Sequence, residues 1–122
     1  MIDLVDKERA WLFAQSWVEA WNGHDLDLIL AHYSPEVIFQ SPFAQELLGD
    51  GCVVGIDSLR AYWRRGLDRQ PNLHFEVIDV LLGYGSLTIL YDNHRGQKVA
   101  ETLVFGEDGL VTRAFACYSD GK

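Results

Sequence analysis

From Leu73 to Tyr118 the chain is a succession of strand-like segments separated only by tight, glycine-bearing turns, and few folds accommodate that. Residues 73–82, 86–93, 99–105 and 110–118 are predicted strands. The turns fall at Gly83-Tyr84-Gly85, His94-Arg95-Gly96 and Glu107-Asp108-Gly109. Connections this short cannot cross over, so successive strands pair antiparallel. With the two-residue period of a strand, Val99, Glu101, Leu103 and Phe105 share one face and the smaller Ala100, Thr102 and Val104 the other. The bulkier face is the natural core face, so a carboxylate stands in the middle of an apolar row. An ionised carboxylate there is costly unless it is paired, hydrogen-bonded or protonated, and a partly polar cavity is the expected compensation. Tyr91 and Asn93 share the matching face of the preceding strand with Leu87 and Ile89, within reach of Glu101.

The sheet needs a cover, and the first half of the chain supplies one. A helix is predicted from about Asp3 to Trp21, with Ala10, Phe13, Ala14, Trp17 and Trp21 as its apolar stripe, widened by Trp11, Leu12 and Val18. Asn22-Gly23 stops it, with Gly23 suited to the left-handed position. Asp25 caps a short second helix running to about His32 and burying Leu26, Ile29 and Leu30, before Ser34-Pro35. Residues 37–41 form a short strand closed by Pro42. Residues 43–55, with Gly49, Gly51 and Gly55, read as a loop, unusually long for so small a domain and hence a candidate rim or lid. Asp57 or Ser58 caps a third helix with Leu59, Tyr62, Trp63 and Leu67 on its buried face, ended by Gln70-Pro71-Asn72. The predicted order is ααβαββββ, an α+β architecture with helices packed on a mainly antiparallel sheet.

The 122 residues suffice for one domain, taken as 1–122. A net charge of −8 argues against nucleic acid or an anionic membrane as partner, and no apolar run approaches the roughly 20 residues of a membrane span. The acidic start (Asp3, Asp6, Glu8) is unlike a signal peptide. Two cysteines make no disulfide framework. Cys52 sits in the glycine-rich stretch and Cys117 is expected as a buried thiol, which suits the cytoplasm. His24, His32, His74 and His94 are scattered without metal-ligand spacing, and no glycine-rich phosphate loop precedes a helix, so neither metal nor cofactor is expected. Asp79 lies on a strand whose two faces are equally apolar, leaving its direction open. Arg113 is expected to point outward, which leaves the small Ala114 and Ala116 on the inner face.

Several stretches resemble the nuclear transport factor two-like superfamily, which includes SnoaL-like polyketide cyclases and ketosteroid isomerases. They are Trp21-Asn22-Gly23-His24-Asp25-Leu26-Asp27, His32-Tyr33-Ser34-Pro35-Glu36-Val37, Ser41-Pro42, Gly55-Ile56-Asp57-Ser58-Leu59-Arg60-Ala61-Tyr62 and Phe105-Gly106-Glu107-Asp108-Gly109. The resemblance covers nearly the whole chain and implies a cone-shaped, cystatin-like α+β roll with an interior pocket. It also implies a homodimer formed through the outer face of the sheet. It does not carry an activity with it. Of the ketosteroid isomerase roles, the base position falls on Ser41, the oxyanion tyrosine on Trp17, and the protonated acid on Glu101. One role of three is kept in kind, so that isomerisation is not expected. The cyclases resemble this chain in outline and use an acid–base Asp with a His from the sheet, but residues 110–118 hold no carboxylate.

The resulting expectation is a pocket that takes a compact, mostly apolar organic molecule. Glu101 provides its polar or catalytic group, and Trp17, Phe39, Ser41, Phe43, Tyr62, Trp63, Tyr91, Asn93, Leu103 and Phe105 provide the wall. The alternatives are a cofactor-independent isomerase, dehydratase or cyclase using Glu101 as general acid or base, and a dimerisation module with a vestigial pocket.

Overall fold

A computed structural model of the chain describes residues 6–120. The predicted start of the first helix at Asp3 lies outside them. Helix α1, Lys7–Asn22, is capped by Asp6, whose carboxylate accepts the Glu8 amide at 2.9 Å. Its stripe is the expected one, with Ala10, Ala14, Trp17 and Trp21 buried, although Leu12 is 60% exposed rather than part of it. The left-handed residue after α1 is His24 (φ 54°), not Gly23 (φ −79°). His24 Nε2 donates to the Leu73 carbonyl at 2.9 Å, which fixes this turn against the chain leading into the sheet. Helix α2, Leu26–Leu30, is capped by Asp25 and buries the three predicted residues.

Strand β1, Tyr33–Gln40, starts earlier than expected and contains Pro35. The proline is tolerated because the register against the neighbouring strand shifts between Tyr33 and Ile38. The stretch read as a loop is instead ordered into helix α3, Pro42–Leu48, and strand β2, Cys52–Val54. Ser41 caps α3 by accepting the Phe43 amide at 3.1 Å, Pro42 occupies the first turn, and Gly49 (φ 80°) ends it in the left-handed conformation. Strand β2 then pairs antiparallel with β1. Helix α4, Ile56–Arg69, is preceded by Gly55 (φ 88°) with no side-chain cap, so neither Asp57 nor Ser58 plays that part. Its buried face is Leu59, Tyr62, Trp63 and Leu67, as the spacing predicts.

The remaining strands are β3 (Glu76–Gly83), β4 (Ser86–Asp92), β5 (Lys98–Phe105) and β6 (Val111–Tyr118). The six strands lie in the order β2-β1-β6-β5-β4-β3, antiparallel except for β1 against β6. Register shifts at Val77/Asp79 and Val104/Phe105 bend the sheet around its apolar face. The first also settles Asp79, which is half-buried and accepts its neighbour's amide, from Val80, at 2.8 Å. Arg113 is exposed while Ala114 and Ala116 are buried. Cys117 shares the outward parity and is exposed, not buried; Cys52 is half-buried and both thiols are free. No helix among the described residues is long and apolar enough to cross a membrane.

Candidate functional site

Glu101 lies opposite Ile89 on one side and Ala116 on the other. The methyl of Ala116 leaves the carboxyl room that a larger β6 residue would take. Between this part of the sheet and helices α1 and α4 is a cavity of about 90 Å³. Its aromatic wall comes from every layer: Trp21 from α1, Phe39 from β1, Tyr62 and Trp63 from α4, Phe75 from the segment before β3, and Tyr91 from β4. Phe43, on α3, and Tyr118, at the end of β6, meet edge to face at 4.6 Å. Glu101 is the one carboxyl group on the wall among the described residues. Asn93, His94 and Arg95 reach it from the β4–β5 turn, and Gln70 from the end of α4.

Glu101 is only 4% exposed. Burial pushes its pKa up from 4.5 to about 7, and a hydrogen bond from the Tyr91 hydroxyl to Oε1, 3.0 Å long, pulls the other way. The surrounding phenols are held protonated. Tyr91 is raised well above 10 by burial and by the Glu101 charge, and Tyr33 and Tyr118 are raised by the same two causes. Tyr62 is pushed up to about 12 by burial, against a hydrogen bond with Ser41. The carboxyl thus sits among neutral donors, with no cation paired to it among the described residues. A carboxyl group that titrates near neutral pH can give or take a proton there, or donate a hydrogen bond to a carbonyl.

Of the residues anticipated from sequence, Phe39, Phe43, Tyr62, Trp63, Tyr91, Asn93 and Glu101 line this cavity. Trp17 stands behind the wall, fully buried, donating its indole N–H to the Tyr33 hydroxyl at 3.0 Å. Ser41 serves α3 and the Tyr62 and Tyr118 hydroxyls. Leu103 and Phe105 are core, with Phe105 packed on Phe13. Asn93 spends its polar atoms on the hairpin rather than on Glu101. Trp21, Phe75, His94, Arg95 and Tyr118 are wall residues that sequence reasoning did not place there. Tyr118 was within reach of it, sharing parity with Ala114 and Ala116. His74 is exposed. No group of three or more His, Cys, Asp or Glu among the described residues is arranged to hold a metal.

A family profile described as SnoaL-like domain matches residues 14–114. A SnoaL-like protein of unknown function from Burkholderia thailandensis superposes with a TM-score of 0.91 at 37% identity, over 96% of this chain and 99% of that one. A cystatin-like protein of unknown function from Methylobium petroleophilum gives 0.74 at 16% identity, over 93% and 78%. AclR, a putative hydroxylase from Streptomyces galilaeus, gives 0.71 at 20% identity, over 93% and 80%. No curated protein matches the sequence. The four-strand meander, the helical cover and the matched span agree: this chain belongs to the SnoaL-like domain family.

Proposed function

We propose that the domain binds a compact, mostly apolar organic molecule in the aromatic cavity and engages it through Glu101. The observation that carries this reading is a carboxyl group buried on a cavity wall with a single hydrogen-bond partner among the described residues, Tyr91. Titratable groups displaced by burial cluster at functional sites, which is the ground for the reading. Trp21 and Trp63 flank the space, so tryptophan fluorescence reports occupancy. Titration with small aliphatic ketones should give saturable quenching together with a raised melting temperature. If no compound does either, and Glu101→Leu simply stabilises the fold, the cavity is vestigial and the domain serves as a dimerisation module.

The second reading is cofactor-independent proton transfer, as in isomerisation, dehydration or cyclisation. It is favoured by a Glu101 pKa of about 7, matched to acid–base work at neutral pH. For a compound that binds and is turned over, Glu101→Gln should abolish turnover and leave binding intact.

The free thiols, Cys117 exposed and Cys52 half-buried, suit a reducing cytoplasm, and we assign the protein there. A homodimer through the outer sheet face, carried from the family resemblance, is supported by Leu81, exposed on the face it shares with Thr88 of β4. Light scattering on the purified chain tests it.

A further inference from the structure

The cavity of about 90 Å³ is smaller than the roughly 150 Å³ that houses a benzene ring, so only the end of a ligand fits inside it. It adjoins an outer cleft of about 320 Å³, and Phe43, Tyr62, Gly66, Gln70 and Arg95 belong to both walls. The cleft adds Arg69 from the last turn of α4, and Glu46 and Leu47 from α3. In a chain of net charge −8, two guanidinium groups therefore stand at one mouth. Among the described residues neither is ion-paired, not even with Glu46; the ion pair present is Arg60 with Asp27, elsewhere on the surface.

Arg95 is positioned without any anion. Asn93 Oδ1 accepts the amides of Arg95 and Gln97, both at 3.0 Å, and Asn93 Nδ2 donates to Gln97 Oε1 at 2.9 Å, bracing the turn. The guanidinium lies over the Phe43 ring, 5.0 Å from its centre. Deeper in, Trp21 is 6% exposed and its indole N–H is buried without an acceptor. His94 Nδ1 is likewise unpartnered. These are the two buried side-chain polar atoms left unsatisfied among the described residues, and both residues line this one cavity. Such atoms call for a partner, and a ligand in the cavity is placed to supply one.

We infer that the ligand is a small oxo-carboxylate, its anion held at the mouth by Arg95 and Arg69 and its apolar end carrying a carbonyl oxygen into the cavity towards the Trp21 indole N–H. The inference rests on the ligand-binding reading of the same cavity and specifies the chemical class. Bidentate guanidinium forks suit a carboxylate. The aromatic wall suits the apolar end.

The test is a binding series on the full chain, read by tryptophan quenching and melting temperature. The probes are levulinate and 4-oxohexanoate, their methyl esters, and the deoxo acids valerate and hexanoate. Each oxo-acid is expected to bind about tenfold more tightly than its ester and than its deoxo counterpart. Arg69→Gln/Arg95→Gln, at two exposed positions, should remove the preference for acid over ester, read as the ratio of the two affinities within the variant. Trp21→Phe should remove the preference for the oxo group, and unchanged far-ultraviolet circular dichroism verifies its fold. Esters binding as well as acids, or the double variant keeping the acid preference, overturns the inference and leaves the binding reading standing. No binding by any probe, ketones included, removes both.

Discussion

The Tyr91 hydroxyl donates to Glu101 Oε1 at 3.0 Å across the β4–β5 pair, diagonally, since Tyr91 faces Val99 and Glu101 faces Ile89 in the register. Among the described residues this is the carboxyl's sole hydrogen bond. The two residues therefore hold each other: the phenol stays protonated beside the charge, and the carboxyl is kept from rising further by the phenol.

Tyr91→Phe removes the donor and keeps the ring. The pKa of Glu101 should move above about 7, because the hydrogen bond that favoured its ionised form is gone while burial remains. Stability at alkaline pH should fall by about 1.5–3 kcal/mol, the worth of a hydrogen bond to a charged group. Carbon NMR titration of the carboxyl and urea unfolding read the two effects. A pKa that stays put or drops would show the hydrogen bond to be unimportant.

Glu101→Gln should stabilise the protein at alkaline pH and not at acid pH. The folded pKa lies above the unfolded one, so stability is complete below 4.5, where both states are protonated. It declines as pH rises towards 7, where the unfolded chain has ionised and the folded chain has not, and is level beyond. The displacement from 4.5 to about 7 is worth about 3 kcal/mol. Glutamine is neutral throughout and still accepts from Tyr91. Subtracting wild-type from variant unfolding free energies at a series of pH values isolates this residue from the other carboxylates. A difference that does not grow between pH 4.5 and 7 contradicts a buried, displaced carboxyl.

The order of elements and the acid on the core face were legible because both are written in local period. Alternation carries Glu101 inward whatever the rest of the chain does, and the stripe Ala10, Ala14, Trp17, Trp21 turns one way on any helix. Helix α3 is written in local residues too. Ser41, Pro42 and Gly49 are a cap, a first-turn proline and a left-handed stop, and the three nearby glycines drew attention to looping instead. Asp79 and Cys117 show what period alone does not carry. A bulge resets the parity of β3, and on β6 the parity that turns Arg113 outward and Ala114 and Ala116 inward, as expected, carries Cys117 outward as well, against its expected burial. His94 and Arg95 reach the cavity because a turn folds back over it, which no spacing encodes.

Asn22→Ala should cost about 2 kcal/mol, though the residue looks like an ordinary helix end. Its side chain pairs with both backbone groups of Phe75: Nδ2 donates to the carbonyl at 3.0 Å and Oδ1 accepts the amide at 2.8 Å. Two hydrogen bonds of about 1 kcal/mol each tie α1 to the segment entering β3. Because Phe75 is cavity wall, the same change should loosen ligand binding as well as lower the melting temperature. Aspartate at this position accepts the amide but cannot donate, and should recover about half the loss in urea unfolding.

Trp17 and Tyr33 should behave as one unit when both are changed. The indole N–H of Trp17 donates to the Tyr33 hydroxyl at 3.0 Å, and both side chains are buried. Tyr33→Phe leaves that N–H without an acceptor, at about 1–3 kcal/mol. Trp17→Phe loses the donor and also the large ring packed on Trp21, Phe75 and Tyr91, at about 2–4 kcal/mol. In the double variant no N–H is stranded, so its loss should fall short of the two single losses together by about 1 kcal/mol or more. Chemical denaturation of the four proteins closes the cycle. Strict additivity would mean that the contact contributes nothing beyond packing, and that Trp17 supports the cavity wall by its bulk alone.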